Sequence, residues 1–125
     1  MMVYWRNVND VQPYSPSGHS GTQNRRIVGL KDGMEEMEVI IGEIEPGGKA
    51  DPHFHENIEQ SMYILSGKMH VIINGEEAVL SEGDTVIIPK KAIHEVKNVG
   101  DSLLRFVLIY SPPLNTTIEK KREEG

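Results

Sequence analysis

The chain has 125 residues, 38% of them hydrophobic, and a formal net charge of −6 from 19 acidic and 13 basic side chains. This length supports one domain with one hydrophobic core, and the negative charge argues against partners such as nucleic acid or an anionic membrane. The chain has no cysteine, which excludes disulfide frameworks, thiolate zinc sites and cysteine nucleophiles.

The N-terminal segment, residues 1–26, is predicted to be irregular. Residues 10–24 are rich in proline, glycine and serine, which favour turns over regular strands. The first ten residues contain no apolar run long enough for a secretory signal, and no stretch of the sequence is apolar enough to span a bilayer. We therefore expect a cytoplasmic protein.

Residues 27–113 alternate short apolar runs with turn signals, a pattern typical of strands joined by tight turns. The run at 37–44 ends at Pro-Gly-Gly, and the run at 69–73 meets Asn74-Gly75, the pair that two-residue type I′ hairpins prefer. No stretch has a sustained helical period. The pattern predicts an all-β sandwich or barrel. Further apolar runs lie at 61–66, 77–81, 85–89, 93–99 and 103–111.

Several predicted strands are apolar on both faces, for example at residues 63–65 and 86–88. One face would fill the interior of the domain, and the other needs a cover from a second sheet or a second subunit. We therefore predict a homodimer. The charged tail, residues 114–125, mixes basic and acidic side chains and is predicted to be a solvated chain end.

Residues 53–60, HFHENIEQ, are the first candidate for a site with chemistry. His53 and His55 are two positions apart, so on an extended strand both imidazoles lie on the same face. Imidazole is the usual nitrogen ligand of Zn, Fe, Mn, Ni and Cu. His94 alternates with the charged Glu95 and Lys97, which places its ring on the inward face. It is therefore the third candidate ligand.

An oxygen ligand from this stretch would come from Glu59 or Gln60, which point to opposite faces of a strand. The carboxylate of Glu59 has the stronger attraction for a cation. The strand's inward face is ambiguous, because either Met62 and Ile64 or the alternate residues 63 and 65 could form the core set. The residues alone leave this choice open.

Two stretches resemble the two motifs of the cupin family. The first is Gly47-x5-His53-x-His55-x4-Gln60-x6-Gly67, and the second is Gly83-x5-Pro89-x-Lys91-x2-His94-x3-Asn98. The resemblance implies a jelly-roll barrel, also called a double-stranded β-helix. It also implies a metal site formed by His53, His55, Gln60 and His94, with Glu59 facing outward.

Each of the two stretches departs from the usual cupin motif at one position. Gln60 stands where many cupins carry glutamate, and Lys91 replaces a glycine of the second motif, which we expect to change only a turn. Three neutral imidazoles and a neutral amide would leave a divalent ion its full charge. Four protein ligands would also leave open positions for a water molecule or a substrate.

The resemblance implies an enzyme of dioxygenase, isomerase or decarboxylase type that acts on a small oxygenated molecule, with one divalent ion of Mn, Fe, Ni, Zn or Cu per chain. The alternative is a non-catalytic cupin that binds a sugar or a carboxylic acid. A third hypothesis is a purely structural barrel. No catalytic residue is predicted. The apolar candidates for a pocket beside the metal are Met62, Ile64, Ile88 and Phe106.

The other conspicuous polar residues are interpreted as structural. His70 alternates with apolar residues and is predicted to face outward. His19 lies in the irregular segment and is predicted to be a surface-loop histidine, with a role over the barrel mouth as the alternative. Arg105 is predicted to face outward in a salt bridge. An exposed acidic strand face is predicted from the glutamates at 35, 36, 38, 43 and 45.

Overall fold

The computed structural model describes residues 3–114, which form an all-β jelly-roll in a curled antiparallel half-barrel, and this confirms the predicted fold class. No helix among these residues has the length and apolarity to cross a membrane. Two short 3-10 turns occupy Val8–Asp10 and Leu30–Asp32. The strands are β1 (His19–Val28), β2 (Glu38–His53), β3 (Glu59–Ser66), β4 (Met69–Ile73), β5 (Glu76–Leu80), β6 (Thr85–Ile88), β7 (His94–Asn98) and β8 (Leu104–Ser111).

Strand β2 carries the chain from one half of the sheet to the other. Its residues 38–44 pair with β8, and its residues 49–53 pair with β7. The bend between these parts is Pro46-Gly47-Gly48, where Gly47 has φ +81° and a Cβ on Gly48 would lie 2.7 Å from the Ile44 side chain. The predicted turn is therefore a corner within one long strand. It curls the sheet and aims the end of β2 at β7.

Strand β1 lies where the sequence predicts an irregular segment. It begins at His19 and pairs antiparallel with β2, from His19 opposite Ala50 to Val28 opposite Val39. Its buried positions, Thr22 and Asn24, are polar. The strand therefore lacks the apolar alternation by which the others are recognised. Most of the predicted tail, from residue 115 onward, lies outside the described residues.

The burial of alternate residues in β3 shows which face of this strand is inward. Gln60, Met62 and Ile64 are all buried, whereas Glu59 and Tyr63 are exposed. Apolar side chains fill the interior of the half-barrel from both ends of the sheet. The largest are Ile40, Ile44, Ile58, Met62, Ile64, Met69, Ile88, Leu104, Phe106, Leu108 and Tyr110.

The predicted acidic face on β2 is wrong at one position. Glu38 is 0% exposed, because its carboxylate accepts hydrogen bonds from Arg26 Nε and from the backbone N–H of Leu114, each at 2.8 Å. Glu43 is half-buried between Arg25 and Arg105, so the predicted salt bridge of Arg105 is confirmed at 3.0 Å. The remaining glutamates of the set, at 35, 36 and 45, are exposed as predicted.

The predicted hairpin at Asn74-Gly75 is confirmed and holds the segment that leads to His94. Both residues have positive φ, 49° and 84°, as a type I′ turn requires. The backbone N–H of Asn74 donates to the carbonyl of Ile93 at 2.8 Å, and the Asn74 side-chain oxygen accepts from the Ile93 N–H at 3.0 Å. The turn between β4 and β5 thus fixes the entry to β7.

Asn98, the last residue of the second motif, has a structural role. Its buried side-chain amide donates to the carbonyls of Ile44, at 2.8 Å, and Ser102, at 2.9 Å. Its side-chain oxygen accepts from the backbone N–H of Gly100 at 2.9 Å. These bonds tie the end of β7 to the corner of β2, so they hold together the two strands that carry His53 and His94.

Candidate metal site

Three histidines converge at one end of the half-barrel. His53 ends β2 and His94 begins β7, and the two are cross-strand partners whose ring centroids lie 4.2 Å apart. His55 follows β2 by two residues, and one ring nitrogen from each histidine lies within 4.8 Å of the other two. Two ligands of one ion, each at about 2.1 Å, are at most about 4.2 Å apart. Small side-chain rotations therefore bring all three nitrogens to a common ion.

Backbone carbonyls fix the orientation of two of these rings. Nδ1 of His53 lies 2.7 Å from the carbonyl oxygen of Asp51, and Nδ1 of His94 lies 2.9 Å from that of Ala92. A carbonyl oxygen can only accept, so each Nδ1 carries the proton and each Nε2 has a free lone pair. A partner on the far nitrogen is how proteins orient a metal-binding histidine.

Gln60, at the start of β3, points into the same cavity as His53 and His94. Its Oε1 atom and the Nε2 atoms of His55 and His94 are buried without a hydrogen-bond partner among residues 3–114. Leaving one such atom unpaired costs about 1–3 kcal/mol. A cation removes this cost at all three atoms when His55 also carries its proton on Nδ1, because an amide oxygen and an unprotonated Nε2 each offer a lone pair. These unpartnered buried atoms fit a divalent metal ion.

The structure separates the remaining polar candidates from this cluster. Glu59 is exposed, and His70 faces away from the core, 3.9 Å from Glu77, so both outward assignments are confirmed. Among the four apolar candidates, Met62 and Phe106 line the cavity. The other two, Ile64 and Ile88, are buried in the core without lining it.

His19 is not the surface-loop histidine that the sequence favours. It begins β1, its ring lies 6.1 Å from that of His53, and it lines both the inner cavity and the mouth outside it. The mouth is formed by residues 17–19 and 51–54. The position of His19 follows from the pairing of β1 with β2. The sequence does not reveal this pairing, because β1 has polar inward residues.

Burial favours the neutral form of three histidines at this site, His19, His55 and His94. Burial is the largest cause and the nearby ring of His53 the second, and with the smaller contributions they lower the pKa of His19, His55 and His94 to about 4 in each case. Burial favours the uncharged imidazole because the charged form loses its hydration. Neutral imidazole is the form that binds a metal.

These shifts predict a loss of stability in mild acid. The folded-state pKa values are below the unfolded value, so the neutral rings stabilise the metal-free fold fully above about pH 6.5. This contribution is lost as pH falls from there toward 4. Urea denaturation between pH 7.5 and 4.5 should show the decline, and a His55→Asn variant should show a shallower one. Identical slopes for the two proteins would contradict the assignment.

Lys91 has a strained backbone conformation and is hydrogen-bonded to the backbone of His55. Its N–H donates to the His55 carbonyl at 2.8 Å, and its φ is +69°, a region that favours glycine. A Lys91→Gly variant keeps the hydrogen bond and removes the strain, so its free energy of unfolding should rise by about 0.5–1 kcal/mol. Urea denaturation measures the change. Lys90→Gly, one residue earlier and without positive φ, is the control and should show no gain.

Comparison with known proteins identifies relatives of this fold and motif. The family model described as Cupin domain matches residues 40–110. Polyketide synthase CurC of Streptomyces cyaneus is 28% identical over 110 residues, which are 84% of this chain and 69% of CurC. The chain spans 64% to 69% of the length of three curated relatives that include CurC.

Two solved structures share the fold along most of the chain. The polyketide cyclase RemF from Streptomyces resistomycificus superimposes with a TM-score of 0.79 at 24% identity, covering 90% of this chain and 81% of RemF. KdgF from Halomonas sp. gives a TM-score of 0.77 at 19% identity, covering 92% of this chain and 97% of KdgF. At these identities the likeness establishes the fold.

Proposed function

The chain belongs to the cupin family, and on that premise we propose that it is a metal-dependent enzyme acting on a small oxygenated molecule. His53, His55, Gln60 and His94 would hold one divalent transition-metal ion. The observation that supports this most strongly is the set of buried, unpartnered acceptor atoms on three of these residues. A structural barrel with no ligand would leave these atoms unpaired at a cost in stability.

A bound divalent ion would act as a Lewis acid toward the carbonyl, enol or carboxylate oxygens of the substrate. The protein's own part is to shape and dry the cavity. Met62 and Phe106 provide apolar walls beside the cluster. Access would be through the mouth, which shares His19 and His53 with the inner cavity. Dioxygenation, isomerisation and decarboxylation are the reaction types that such a site supports.

The proposed substrate presents two neighbouring oxygens to the open positions of the site. The curated relative CurC is named a polyketide synthase, and polyketides carry carbonyl oxygens on alternate carbons. The neutral Gln60 amide also supports a substrate of this kind. A metal site without a carboxylate ligand keeps more positive charge and therefore attracts enolate or carboxylate oxygens more strongly.

The test is a substrate screen on protein of known metal content. Protein purified without an affinity tag is analysed for Mn, Fe, Ni, Zn and Cu, reloaded with the metal found, and assayed against diketones, sugars and small carboxylic acids. We expect turnover of at least one class by the loaded protein and none by the His94→Ala variant. Equal turnover by both proteins would contradict the proposal.

A non-catalytic binding protein is the second candidate function. Within residues 3–114, no aspartate, glutamate, lysine or arginine side chain lines the inner cavity. An enzyme that needs a carboxylate as general base would lack it there. Saturable binding of a sugar or carboxylic acid to the loaded protein, without turnover across the screen, would favour this candidate.

We also propose that the chain forms a homodimer through the outward face of β3 and β6. Ile87 is 75% exposed and Tyr63 is 48% exposed on neighbouring strands, which supports a covered face in the assembly. Light scattering should give twice the chain mass of 14.0 kDa, and an Ile87→Glu variant should give a single chain mass. A wild-type mass of one chain would contradict the dimer.

A further inference from the structure

Thr22 is a buried residue of β1 that no structural role accounts for. It is 8% exposed, and its hydroxyl Oγ1 has no hydrogen-bond partner among residues 3–114. A hydroxyl that is buried and unpaired costs about 1–3 kcal/mol relative to one that is bonded. Valine has the same shape without that cost. The hydroxyl therefore lowers the stability of the fold unless a group in the cavity forms a hydrogen bond with it.

Thr22 belongs to the wall of the cavity that is also lined by His53 and His94 of the histidine cluster. Thr22 lines this cavity together with His53, Gln60 and His94, and lies opposite Ile44 in the pairing of β1 with β2. The neighbouring inward residue, Asn24, is also buried, but none of its side-chain atoms is among the unpartnered buried atoms. The Thr22 hydroxyl is thus a buried polar group of β1 that has no hydrogen-bond partner within residues 3–114.

The size of the cavity limits what can reach this hydroxyl. Its volume is about 30 Å³, which holds about two water-sized groups. Phe106, Met62 and Leu108 form its apolar walls. A group that enters must therefore be short, such as the end of a small hydroxy acid or hydroxy ketone, and any larger part of the ligand stays at the mouth.

We propose that the Thr22 hydroxyl is a specificity-determining contact, which hydrogen-bonds a ligand oxygen that is not bound by the histidine–glutamine cluster. This inference rests on the proposed function, because the ligand's other oxygens occupy that cluster. The selected ligand class is small molecules with a hydroxyl or carbonyl group next to two chelating oxygens. A site built to bond a ligand hydroxyl rejects an isosteric methyl group, because its own polar group is then left unpaired.

The test compares two isosteric chelators on protein loaded with Zn²⁺. Glycolohydroxamate and propionohydroxamate bind a metal through the same two oxygens and differ only in a hydroxyl in place of a methyl group. Isothermal titration of the wild type should give about tenfold tighter binding of glycolohydroxamate, the effect of one hydrogen bond. Thr22→Val should remove this preference, and Thr22→Ser should retain it.

Further readouts separate a ligand contact from a structural hydroxyl. The metal-free Thr22→Val protein should melt at the wild-type temperature or above, because the change removes an unpaired polar group. Its Zn²⁺ content should equal that of the wild type. Thr22→Ala, which also lacks the hydroxyl, replaces valine as the test variant if the valine protein does not fold.

Two results with the hydroxamates would overturn this inference while leaving the proposed function intact. One is a wild type that binds both hydroxamates equally, and the other is a Thr22→Val protein that retains the full preference. A wild type that binds Zn²⁺ and neither hydroxamate would instead overturn the proposed function together with this inference. Loss of Zn²⁺ from the Thr22→Val protein would make the residue part of the metal site and would also overturn the inference.

Discussion

A His94→Ala variant is expected to lose at least about 100-fold in affinity for a divalent transition metal, since even the outer partners of metal ligands cost 10- to 100-fold when they are removed. His94 is 2% exposed, and its free Nε2 atom is held toward the cavity by the bond from Nδ1 to Ala92. The other proposed ligands, His53, His55 and Gln60, lie on other segments of the chain and cannot replace it. Isothermal titration calorimetry of the metal-free proteins with Zn²⁺ or Mn²⁺ measures the loss of affinity.

His70→Ala is the matched control, because His70 lies on the outward side of β4 and pairs with Glu77. Its metal affinity should equal that of the wild type. Circular dichroism should show the β fold for both variants, since removing His94 leaves the surrounding backbone pairings in place. Wild-type affinity in the His94→Ala protein would exclude this histidine as a ligand.

An Arg26→Met variant is expected to lower the free energy of unfolding by about 3–5 kcal/mol, because it leaves a buried charge without its partner. Glu38 is fully buried, and Arg26 Nε donates to it at 2.8 Å. The same guanidinium donates to the Tyr14 hydroxyl at 2.8 Å and lies 4.5 Å from the centre of that ring. Urea denaturation at pH 7 measures the change.

The neighbouring Arg25→Met change provides the control. Arg25 pairs with Glu43 at 3.5 Å, and Glu43 has a second partner in Arg105, so the loss should be below about 1 kcal/mol. Adding Glu38→Gln to Arg26→Met should recover part of the stability, because it removes the unpaired charge. Equal losses in the free energy of unfolding for the two arginine variants would contradict the larger effect that we assign to the burial of Glu38.

Much of the fold was predictable because its signals are local. The Asn74-Gly75 turn and the apolar runs of β3, β4, β6 and β8 indicate strands without reference to the rest of the chain. Strand β1 was not predictable in this way. Its inward residues, Thr22 and Asn24, are polar because they face the cavity or Tyr14 and not the apolar core. A strand that lines a site lacks the pattern of a strand that lines a core.

The candidate site was predictable in its ligands and not in its surroundings. The resemblance of the two motifs to those of the cupins was enough to name His53, His55, Gln60 and His94 as candidates, although the residues alone did not decide between Gln60 and Glu59. The places of His19 and Thr22 depend on how β1 pairs with β2, which joins His19 to Ala50 and Thr22 to Ile44, residues about 20 to 30 positions apart, and involves no motif. Burial of Glu38 likewise depends on Arg26 across that pairing, so the sequence alone favoured an exposed glutamate.

The most direct measurement is anomalous X-ray diffraction from crystals of the metal-reconstituted protein, recorded at the absorption edge of the bound metal. We predict one strong peak per chain, about 2.0–2.2 Å from Nε2 of His53, His55 and His94 and from Oε1 of Gln60. The Nδ1 contacts of His53 and His94 with the carbonyls of residues 51 and 92 should persist. A map with no peak at this cluster, or with the metal bound by other side chains, would contradict the account.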